Sequence, residues 1–490
     1  MAEPELLVPG RTCWRVERAD RFRIIVDAAD YFRVAKAAML RARRSVLLIG
    51  WEFDTRIKLE PDGPTMDGPN TLGEFVSWLV ETRSELEIRI LEWDVGAVQA
   101  LGRGMTPVMV TNWMTHERLT FRLDSAHPIG AAHHSKIAVI DDAMAFCGGI
   151  DMTADRWDTR GHEDDDPRRV KPSGRPYMAW HDVAAAVSGP AARALGDLAR
   201  DRWLAATDER LEPPPGGAAI WPEDLAPDAE AVEIGIARTL PEMEERREVR
   251  EIEALYLEII RNVRRTLYIE NQYLGSRALA EALAERLREP DGPEVVLVAP
   301  QDTEGWLRRK AMDGARTKLL RLLWAADRHG RFAAYYPVTA EGEAIYVHAK
   351  VLAMDDRLLR VGSSNLNNRS MGYDTECDAA LDAARHPERE AALREVVRGV
   401  RRDLLCEHLH AAPAAFDAAL EAAGGSLVGA VEALRGEGRS LRPFTREEVA
   451  EDESVLGENE LADPERPADS VVERLSAGVA QLFGKDREAD

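Results

Sequence analysis

The sequence predicts an α/β protein with an internal duplication. Helical and strand-like hydrophobic patterns alternate along the chain, as they do in α/β folds. One spaced motif occurs twice, and a similar order of helix and strand leads up to each copy. The chain has 490 residues, which is more than one ordinary hydrophobic core accommodates. We therefore expect two fused halves.

The predicted elements of the first half alternate between helix and strand. Apolar residues at helical spacing predict helices over residues 31–43 and around residues 72–80. Runs rich in Val, Ile, Leu and aromatic residues predict strands over residues 45–53, 87–93, 121–123 and 136–140. The last of these strands carries the first copy of the motif.

The second half repeats this order. A predicted helix over residues 249–263 ends in two arginines and runs into a strand at residues 266–270. The helix of the first half likewise ends in two arginines before the strand that begins at residue 45. Further strands are predicted over residues 295–299, 332–336 and 345–354. The last of them carries the second copy of the motif.

Composition predicts where the halves begin and end. Residues 211–230 are rich in Pro and Gly and predict a linker, so we assign the first half to residues 1–210 and the second to residues 231–405. Residues 406–490 are expected to form a helical and acidic C-terminal appendage, helical over 411–435 and with a short amphipathic helix near 471–483.

Charge and composition argue against several classes of protein. The formal net charge is −23, which disfavours non-specific binding to nucleic acid, because that binding depends on basic side chains. Neither a signal peptide nor an apolar run long enough to span a bilayer is recognisable, and the four cysteines lack metal-binding spacing. We expect a cytoplasmic protein with reduced thiols and no transmembrane segment.

The repeated motif has the form His-x-Lys-x4-Asp. Its copies are His134, Lys136 and Asp141 in the first half, and His348, Lys350 and Asp355 in the second. A turn of small and polar residues follows each copy, Gly148-Gly149-Ile150-Asp151 and Gly362-Ser363-Ser364-Asn365. A doubled constellation of this kind predicts one site built from two halves.

The residue types of the motif suit phosphate chemistry. The chain has only eight lysines among its 64 basic residues, yet lysine stands at both motif positions, which favours a compact point charge. Two lysines and a polar partner would bind the non-bridging oxygens of a phosphate. One imidazole could then attack phosphorus while the other protonates the leaving oxygen, giving a phosphohistidine. This chemistry needs no metal.

The two copies resemble the HKD motifs of the phospholipase D superfamily. Residues 269–273 (IENQY) resemble a segment of the eukaryotic-type enzymes, as do the segments at residues 148–151, 156–158, 180–182 and 362–372. The resemblance covers residues 13–405. It implies two similar α/β halves, each a mixed sheet flanked by helices, packed with pseudo-two-fold symmetry around one active site.

The resemblance also implies a role for each site residue. His134 would be the nucleophile and His348 the general acid and base, with Asp182 and Glu376 orienting the two imidazoles. The phosphate would be bound by Lys136, Lys350 and Asn365, and Ser363 and Asp151 are further candidates for substrate binding. Asp141 and Asp355 would stabilise the surroundings of the motifs.

Two segments raise the question of a metal site. Residues 162–166 (HEDDD) are interpreted as a charged loop, and Cys406, His408 and His410 are too close together on one helix to converge on zinc. We therefore predict no metal and no cofactor.

The leading hypothesis is a phosphodiesterase that hydrolyses or transphosphatidylates glycerophospholipids to phosphatidic acid. The alternatives are a cardiolipin synthase-like phosphatidyltransferase, a nuclease-type phosphodiesterase and a non-enzymatic membrane-binding scaffold. The expected partner is phospholipid at a membrane surface, not nucleic acid. We expect a monomer, because both half-sites lie in one chain, in the cytoplasm or peripheral on a membrane.

Overall fold

The computed structural model describes residues 3–94, 113, 116–216, 219–243, 246–302, 312–446 and 463. Its strands are β1 (Arg15–Val26), β2 (Ser45–Gly50), β3 (Glu87–Trp93), β4 (Leu119–Asp124), β5 (Ile137–Ile140), β6 (Met144–Gly148), β7 (Trp180–His181), β8 (Val183–Ser188), β9 (Ala229–Leu240), β10 (Val249–Arg250), β11 (Thr266–Asn271), β12 (Glu294–Val298), β13 (Phe332–Val338), β14 (Tyr346–Val347), β15 (Lys350–Met354), β16 (Leu358–Gly362), β17 (Glu376–Asp382) and β18 (Ser440–Pro443). Its α-helices are α1 (Ala28–Met39), α2 (Leu72–Thr82), α3 (Pro190–Thr207), α4 (Glu251–Asn262), α5 (Arg277–Arg288), α6 (Gly314–Ala326), α7 (Glu390–His408), α8 (Pro413–Ala422) and α9 (Leu427–Leu434).

The strands form a mixed sheet that runs through both predicted halves. Outward from β1 the order is β8, β6, β5, β2, β3 and β4; outward from β9 it is β17, β16, β15, β11, β12 and β13, with β18 at the edge. Parallel pairing joins β2 to β3, β3 to β4, β11 to β12 and β12 to β13, and the other neighbours are antiparallel. The predicted α/β fold with a mixed sheet is confirmed.

The two halves meet within this sheet and do not form separate sheets. The resemblance implied one sheet for each half. Instead, β1 and β9 pair with one another antiparallel, with Arg15 opposite Ile236 and Phe22 opposite Ala229. Each of these strands has 12 residues and pairs along both of its edges, so the hydrogen bonding continues from one half into the other. The pseudo-two-fold relation stays a prediction.

Helices cover both faces of the sheet. Because successive strand residues point to opposite faces, Val46 and Leu48 join one apolar cluster while Leu47 and Ile49 join another. On the first face, α1 and α2 cover the first half and α4, α5 and α6 the second, in separate clusters. On the opposite face, α3, α7, α8 and α9 pack on strands of both halves in one cluster. No helix among the described residues is long and apolar enough to cross a bilayer.

The first part of the expected C-terminal appendage packs on this core. The helices predicted over residues 411–435 are present as α8 and α9, whose Phe416, Leu427 and Val431 are buried in the cluster that both halves share. Beyond them, β18 extends the sheet by pairing with β13. The predicted helix near residues 471–483 and nearly all of the acidic tail lie outside the described residues.

Each motif aspartate lies in the turn of a hairpin. Asp141 follows β5 with φ 51°, and Asp355 follows β15 with φ 50°, a left-handed conformation that Asp tolerates better than most residues. The two carboxylates accept hydrogen bonds from three backbone N–H groups each, those of residues 43–45 and residues 264–266. Both aspartates therefore attach a motif hairpin to the start of the neighbouring strand, as expected of residues that stabilise the surroundings of the motifs.

These bonds predict a stability defect for Asp355→Asn. The amide replaces one acceptor oxygen by a donor that faces backbone N–H groups, and hydrogen bonds to a charged group are worth about 1.5–3 kcal/mol each. We expect the free energy of unfolding in urea to fall by about 2–4 kcal/mol. The matched control is Asp165→Asn, because Asp165 is exposed and also has a positive φ. Equal stabilities of the two variants would contradict this role of Asp355.

Candidate active site

Backbone contacts between the halves place the two motif histidines. The His134 N–H donates to the Thr375 carbonyl at 3.0 Å, beside an isolated bridge between His133 and Thr375. The His348 N–H donates to the His181 carbonyl at 2.8 Å, directly after the short parallel pairing of β14 with β7. Each histidine thus lies against a segment of the opposite half.

The predicted strand over residues 345–354 is divided by this arrangement. The structure has β14 before His348 and β15 after Ala349, since β14 pairs with β7 of the first half while β15 pairs with β11 and β16 in the main sheet. The change of partner places His348 where the two sheets separate.

Each imidazole contacts a carboxylate of the other half. Nδ1 of His134 lies 3.0 Å from both carboxylate oxygens of Glu376, and Nδ1 of His348 lies 2.7 Å from Oδ2 of Asp182. All four side chains are buried. An ionised carboxylate at Nδ1 makes that nitrogen the donor, which leaves Nε2 of the ring for attack or proton transfer. The structure therefore places each histidine against the carboxylate that was predicted to orient it.

The motif lysines lie beside the same rings. Lys136 Nζ is 2.9 Å from Asp151 Oδ2 and donates to the His134 carbonyl at 3.2 Å. Lys350 Nζ donates to Gln272 Oε1 at 3.2 Å and to the carbonyl of His348. Burial lowers the pKa of Lys350 to about 7, an effect that Asp182 opposes. Positive charge in the site is therefore sensitive to pH near neutrality.

Burial also changes the pKa of the other ionisable groups. It holds the pKa values of His134 and His348 well below the usual range, and the nearby lysines add to the effect. The pKa of Asp182 rises to about 6 and that of Glu376 to about 8, again mainly because both are buried. Both rings are consequently neutral at pH 7 before a substrate binds.

The turn residues after the two motifs differ in what they contact. The hydroxyls of Ser363 and Ser370 donate to Glu376, so Ser363 contacts the orienting carboxylate. Asp151 forms the ion pair with Lys136 and accepts the Trp51 N–H at 3.0 Å. Asn365 lines a cavity, and its buried Oδ1 has no hydrogen-bond partner among the described residues. Of these predicted substrate contacts, Asn365 is the one in a position to meet a ligand.

His134 also lines this cavity. Its volume is about 250 Å³. Its walls include Trp51, Trp93 and Tyr273, together with the polar side chains of Asn365, Arg369 and Ser370. The ring centroid of Trp51 lies 5.1 Å from that of His134. Partly apolar walls with a few convergent polar groups are typical of a small-molecule site.

Sequence reasoning missed two residues of this arrangement. Gln272 lies within the quoted segment at residues 269–273, but its contact with Lys350 could not be read from that segment. Ser370 supports Glu376 from the short helical segment Arg369–Tyr373. Its place within the motif-like stretch at 362–372 was the only available signal.

The site thus places two imidazole–carboxylate pairs and two lysines where the halves meet, a set of groups suited to a tetrahedral phosphate. A family model described as "Phospholipase D" matches residues 331–435. "Phospholipase D A" of Dictyostelium discoideum is 24% identical over 437 residues, which cover 73% of this chain and 32% of the relative. "Phospholipase D alpha 1" of Carica papaya is 25% identical over 513 residues, covering 76% and 63%.

A solved structure is similar in fold. The crystal structure of phosphatidylserine synthase from Haemophilus influenzae covers 78% of this chain and 88% of its own, with a TM-score of 0.53 and 11% identity, which shows likeness of fold alone. The chain spans less than two thirds of the length of the curated relatives named above. The chain is similar to phospholipase D over about three quarters of its length, including the eukaryotic-type enzymes that its motifs resemble.

The pKa values predict that the site binds oxyanions better at low pH. As pH rises, Asp182 becomes an anion near pH 6, Lys350 loses its charge near pH 7 and Glu376 becomes an anion near pH 8, in line with the pKa of each group. Each of these changes makes the site more negative and weakens the binding of an anion. Sulfate, which is a tetrahedral dianion over this whole range, should bind at least about tenfold more weakly at pH 9 than at pH 6, the equivalent of one pKa unit.

Calorimetric titration of sulfate measures this directly. Lys350→Met should lower the affinity at pH 6 and remove the step near pH 7. The control is Lys58→Met, since the Lys58 side chain is exposed and far along the chain from both motifs. Sulfate affinity that does not change with pH would refute this account of the site's charge.

Proposed function

We propose that this protein is a phospholipase D-type phosphodiesterase, which cleaves glycerophospholipids to phosphatidic acid through a phosphohistidine. The observation that carries the proposal is the crossed pairing of His134 with Glu376 and of His348 with Asp182. Two imidazoles that are oriented separately suit a reaction with one nucleophile and one general acid. The names of the curated relatives support phospholipid as the substrate class.

In the first step, Nε2 of His134 attacks phosphorus. The bond from phosphorus to the headgroup oxygen breaks, and that oxygen takes a proton from Nε2 of His348. His348 must carry this proton, although burial lowers its pKa. The incoming phosphodiester anion offsets the charge of the lysines, and Asp182 stabilises the imidazolium at Nδ1.

In the second step, His348 acts as the base. It removes a proton from water or another alcohol, whose oxygen attacks phosphorus as the bond to His134 breaks. Water gives phosphatidic acid, and an alcohol gives a phosphatidyl ester. His134 returns to its neutral form and His348 to the protonated form that the next cycle needs.

We assign the remaining site residues by what they contact. Lys136, Lys350 and Asn365 would bind the non-bridging oxygens, with Asp151 positioning the ammonium group of Lys136. Ser363 would act through Glu376, because its hydroxyl donates to that carboxylate.

The division of the chain follows from the same proposal. Residues 1–210 and 231–405 would each supply one motif, with residues 211–230 as the linker. Since one chain then supplies both half-sites, the enzyme would act as a monomer, in the cytoplasm and peripherally on the membrane that contains its substrate.

The proposal predicts defined lipid products. The full chain incubated with a mixed phospholipid extract should release phosphatidic acid, and added ethanol should divert part of it to phosphatidylethanol, both identified by mass spectrometry. His134→Asn should give neither product. Cardiolipin as the main product would favour a phosphatidyltransferase, and intact lipid beside cleaved DNA would favour a nuclease; either result would overturn the proposal.

The separate roles of the two histidines predict different trapping behaviour. With a p-nitrophenyl phosphodiester, whose leaving group needs no acid, His348→Asn should still phosphorylate His134 and release p-nitrophenol in a burst. The adduct should persist, because no base remains to activate water. His134→Asn should give no adduct. Intact-mass measurement and peptide mapping after brief incubation detect it, and a label on His348 would reverse the assignment.

A further inference from the structure

A second group of buried ionisable side chains lies next to Asp182 of the candidate active site. It comprises Asp27, His162, His181 and Glu407, which come from four separate segments of the chain. One nitrogen or oxygen atom from each lies within 4.8 Å of the corresponding atom of every other. All four side chains are at most 2% exposed. We call these residues the Asp27 cluster.

The distances within the Asp27 cluster suit a metal ion. Nδ1 of His181 is 3.1 Å from Oδ1 of Asp27 and 2.9 Å from Oε1 of Glu407. Nε2 of His162 is 3.3 Å from Oε1 of Glu407 and 3.5 Å from Oδ2 of Asp27. Bonds of about 2.0–2.1 Å from zinc to nitrogen and oxygen ligands place neighbouring ligands of a tetrahedron about 3.3–3.4 Å apart.

The outer nitrogen of each ring is already engaged by a further carboxylate. Nδ1 of His162 lies 2.9 Å from Oδ2 of Asp158, and Nε2 of His181 lies 2.9 Å from Oε2 of Glu270. If each outer nitrogen donates its proton there, the inner nitrogens present lone pairs to the centre of the cluster. Carboxylates placed behind the ligands in this way are typical of histidine metal sites.

Two atoms at the centre are buried polar atoms without a hydrogen bond from the part of the chain that the structure describes. Among the described residues, Oδ2 of Asp27 and Nδ1 of His181 have no hydrogen-bond partner, although both are buried. Nδ1 of His181 approaches two carboxylate oxygens without pointing a proton at either in hydrogen-bond geometry. A cation between these atoms would satisfy all of them, since buried polar groups ordinarily have partners.

The charge of the surroundings is compatible with a divalent ion. Asp27, Glu407, Asp158 and Glu270 are four buried carboxylates. Among the described residues, arginine ion pairs reach two of them, Arg160 with Glu407 and Arg169 with Asp158. The carboxylates of Asp27 and Glu270 then have no arginine ion pair among the described residues. They need either two protonated imidazoles or one divalent cation, because unpaired buried charge is strongly unfavourable.

We propose that Asp27, His162, His181 and Glu407 bind one divalent transition-metal ion, with zinc as the expected occupant. Two imidazoles and two carboxylates are ligands that zinc accepts in a four-coordinate site. The sequence did not predict this site, because residues 162–166 and Cys406–His410 are distant segments and neither contains a complete set of ligands. In the folded chain, His162 from the first segment and Glu407 from the second lie beside Asp27 and His181.

The ion would position Asp182 and take no part in bond breaking. The Asp27 N–H donates to the Asp182 carbonyl at 2.7 Å, and the Asp182 N–H donates to Oδ1 of Asp27 at 3.1 Å. An ion that holds Asp27 therefore fixes the backbone of the residue that orients His348. The cluster itself is buried, and none of its four residues lines the cavity at His134.

Metal analysis of the full chain tests this proposal. The protein is purified without a metal-affinity step, and its metal content is measured by inductively coupled plasma mass spectrometry. Wild-type protein should contain about one zinc per chain. His162→Asn and Glu407→Gln should each lose it. The matched controls are His410→Asn, which like His162 has a positive φ, and Glu421→Gln; both control residues are exposed, and both variants should keep the metal.

A measurement on the wild-type chain decides the outcome if the variants do not fold. Metal is removed by dialysis against chelator in mild denaturant, and thermal unfolding is followed while ZnCl₂, MnCl₂, FeCl₂ or CaCl₂ is added. The melting temperature should rise and saturate at about one equivalent of zinc. Metal-free purified protein that no added ion stabilises would mean protonated histidines balance the charge, and metal that persists in folded cluster variants would place it elsewhere. Either result overturns the proposal.

Discussion

The site depends on an exchange of partners between the two halves. His134 belongs to the first half and its carboxylate, Glu376, to the second; His348 belongs to the second half and its carboxylate, Asp182, to the first. Each pair lies next to a backbone hydrogen bond between the same segments, at Thr375 and at His181. The orientation of both rings therefore depends on how the halves dock. The antiparallel pairing of β1 with β9 and the shared apolar cluster fix that docking.

Much of this arrangement could be predicted from the sequence. The two motifs identified the histidines and lysines because chemistry that needs these residue types at a set spacing leaves a local signal. Asp182 and Glu376 were assigned through segments that resemble the family, and their contacts agree with that assignment. The alternation of strands and helices was predictable for the same reason, since hydrophobic period is a local property.

Contacts between distant segments could not be predicted in this way. Ser363 and Asn365 are two positions apart, yet one contacts Glu376 and the other lines the cavity. Nothing in the local pattern distinguishes them. The Asp27 cluster is a stronger case, because each of its members resembles an ordinary charged or buried residue within its own segment. Only the folded chain brings residues 27, 162, 181 and 407 together.

The two orienting carboxylates are supported differently, and the difference bears on the roles of the histidines. Glu376 accepts from the neutral hydroxyls of Ser363 and Ser370, and burial raises its pKa to about 8. Asp182 accepts the Val183 N–H at 2.8 Å and interacts with the charge of Lys350, which opposes the effect of burial, and its pKa rises only to about 6.

At neutral pH, Asp182 is therefore the carboxylate more readily kept as an anion. An anion at Nδ1 stabilises an imidazolium, which is the form that a general acid requires. A ring whose carboxylate is less readily ionised stays neutral more easily, which is the form that a nucleophile requires. The hydrogen bonds and charges around the two carboxylates thus favour His348 as the acid and His134 as the nucleophile. This argument does not depend on the order of the motifs in the chain.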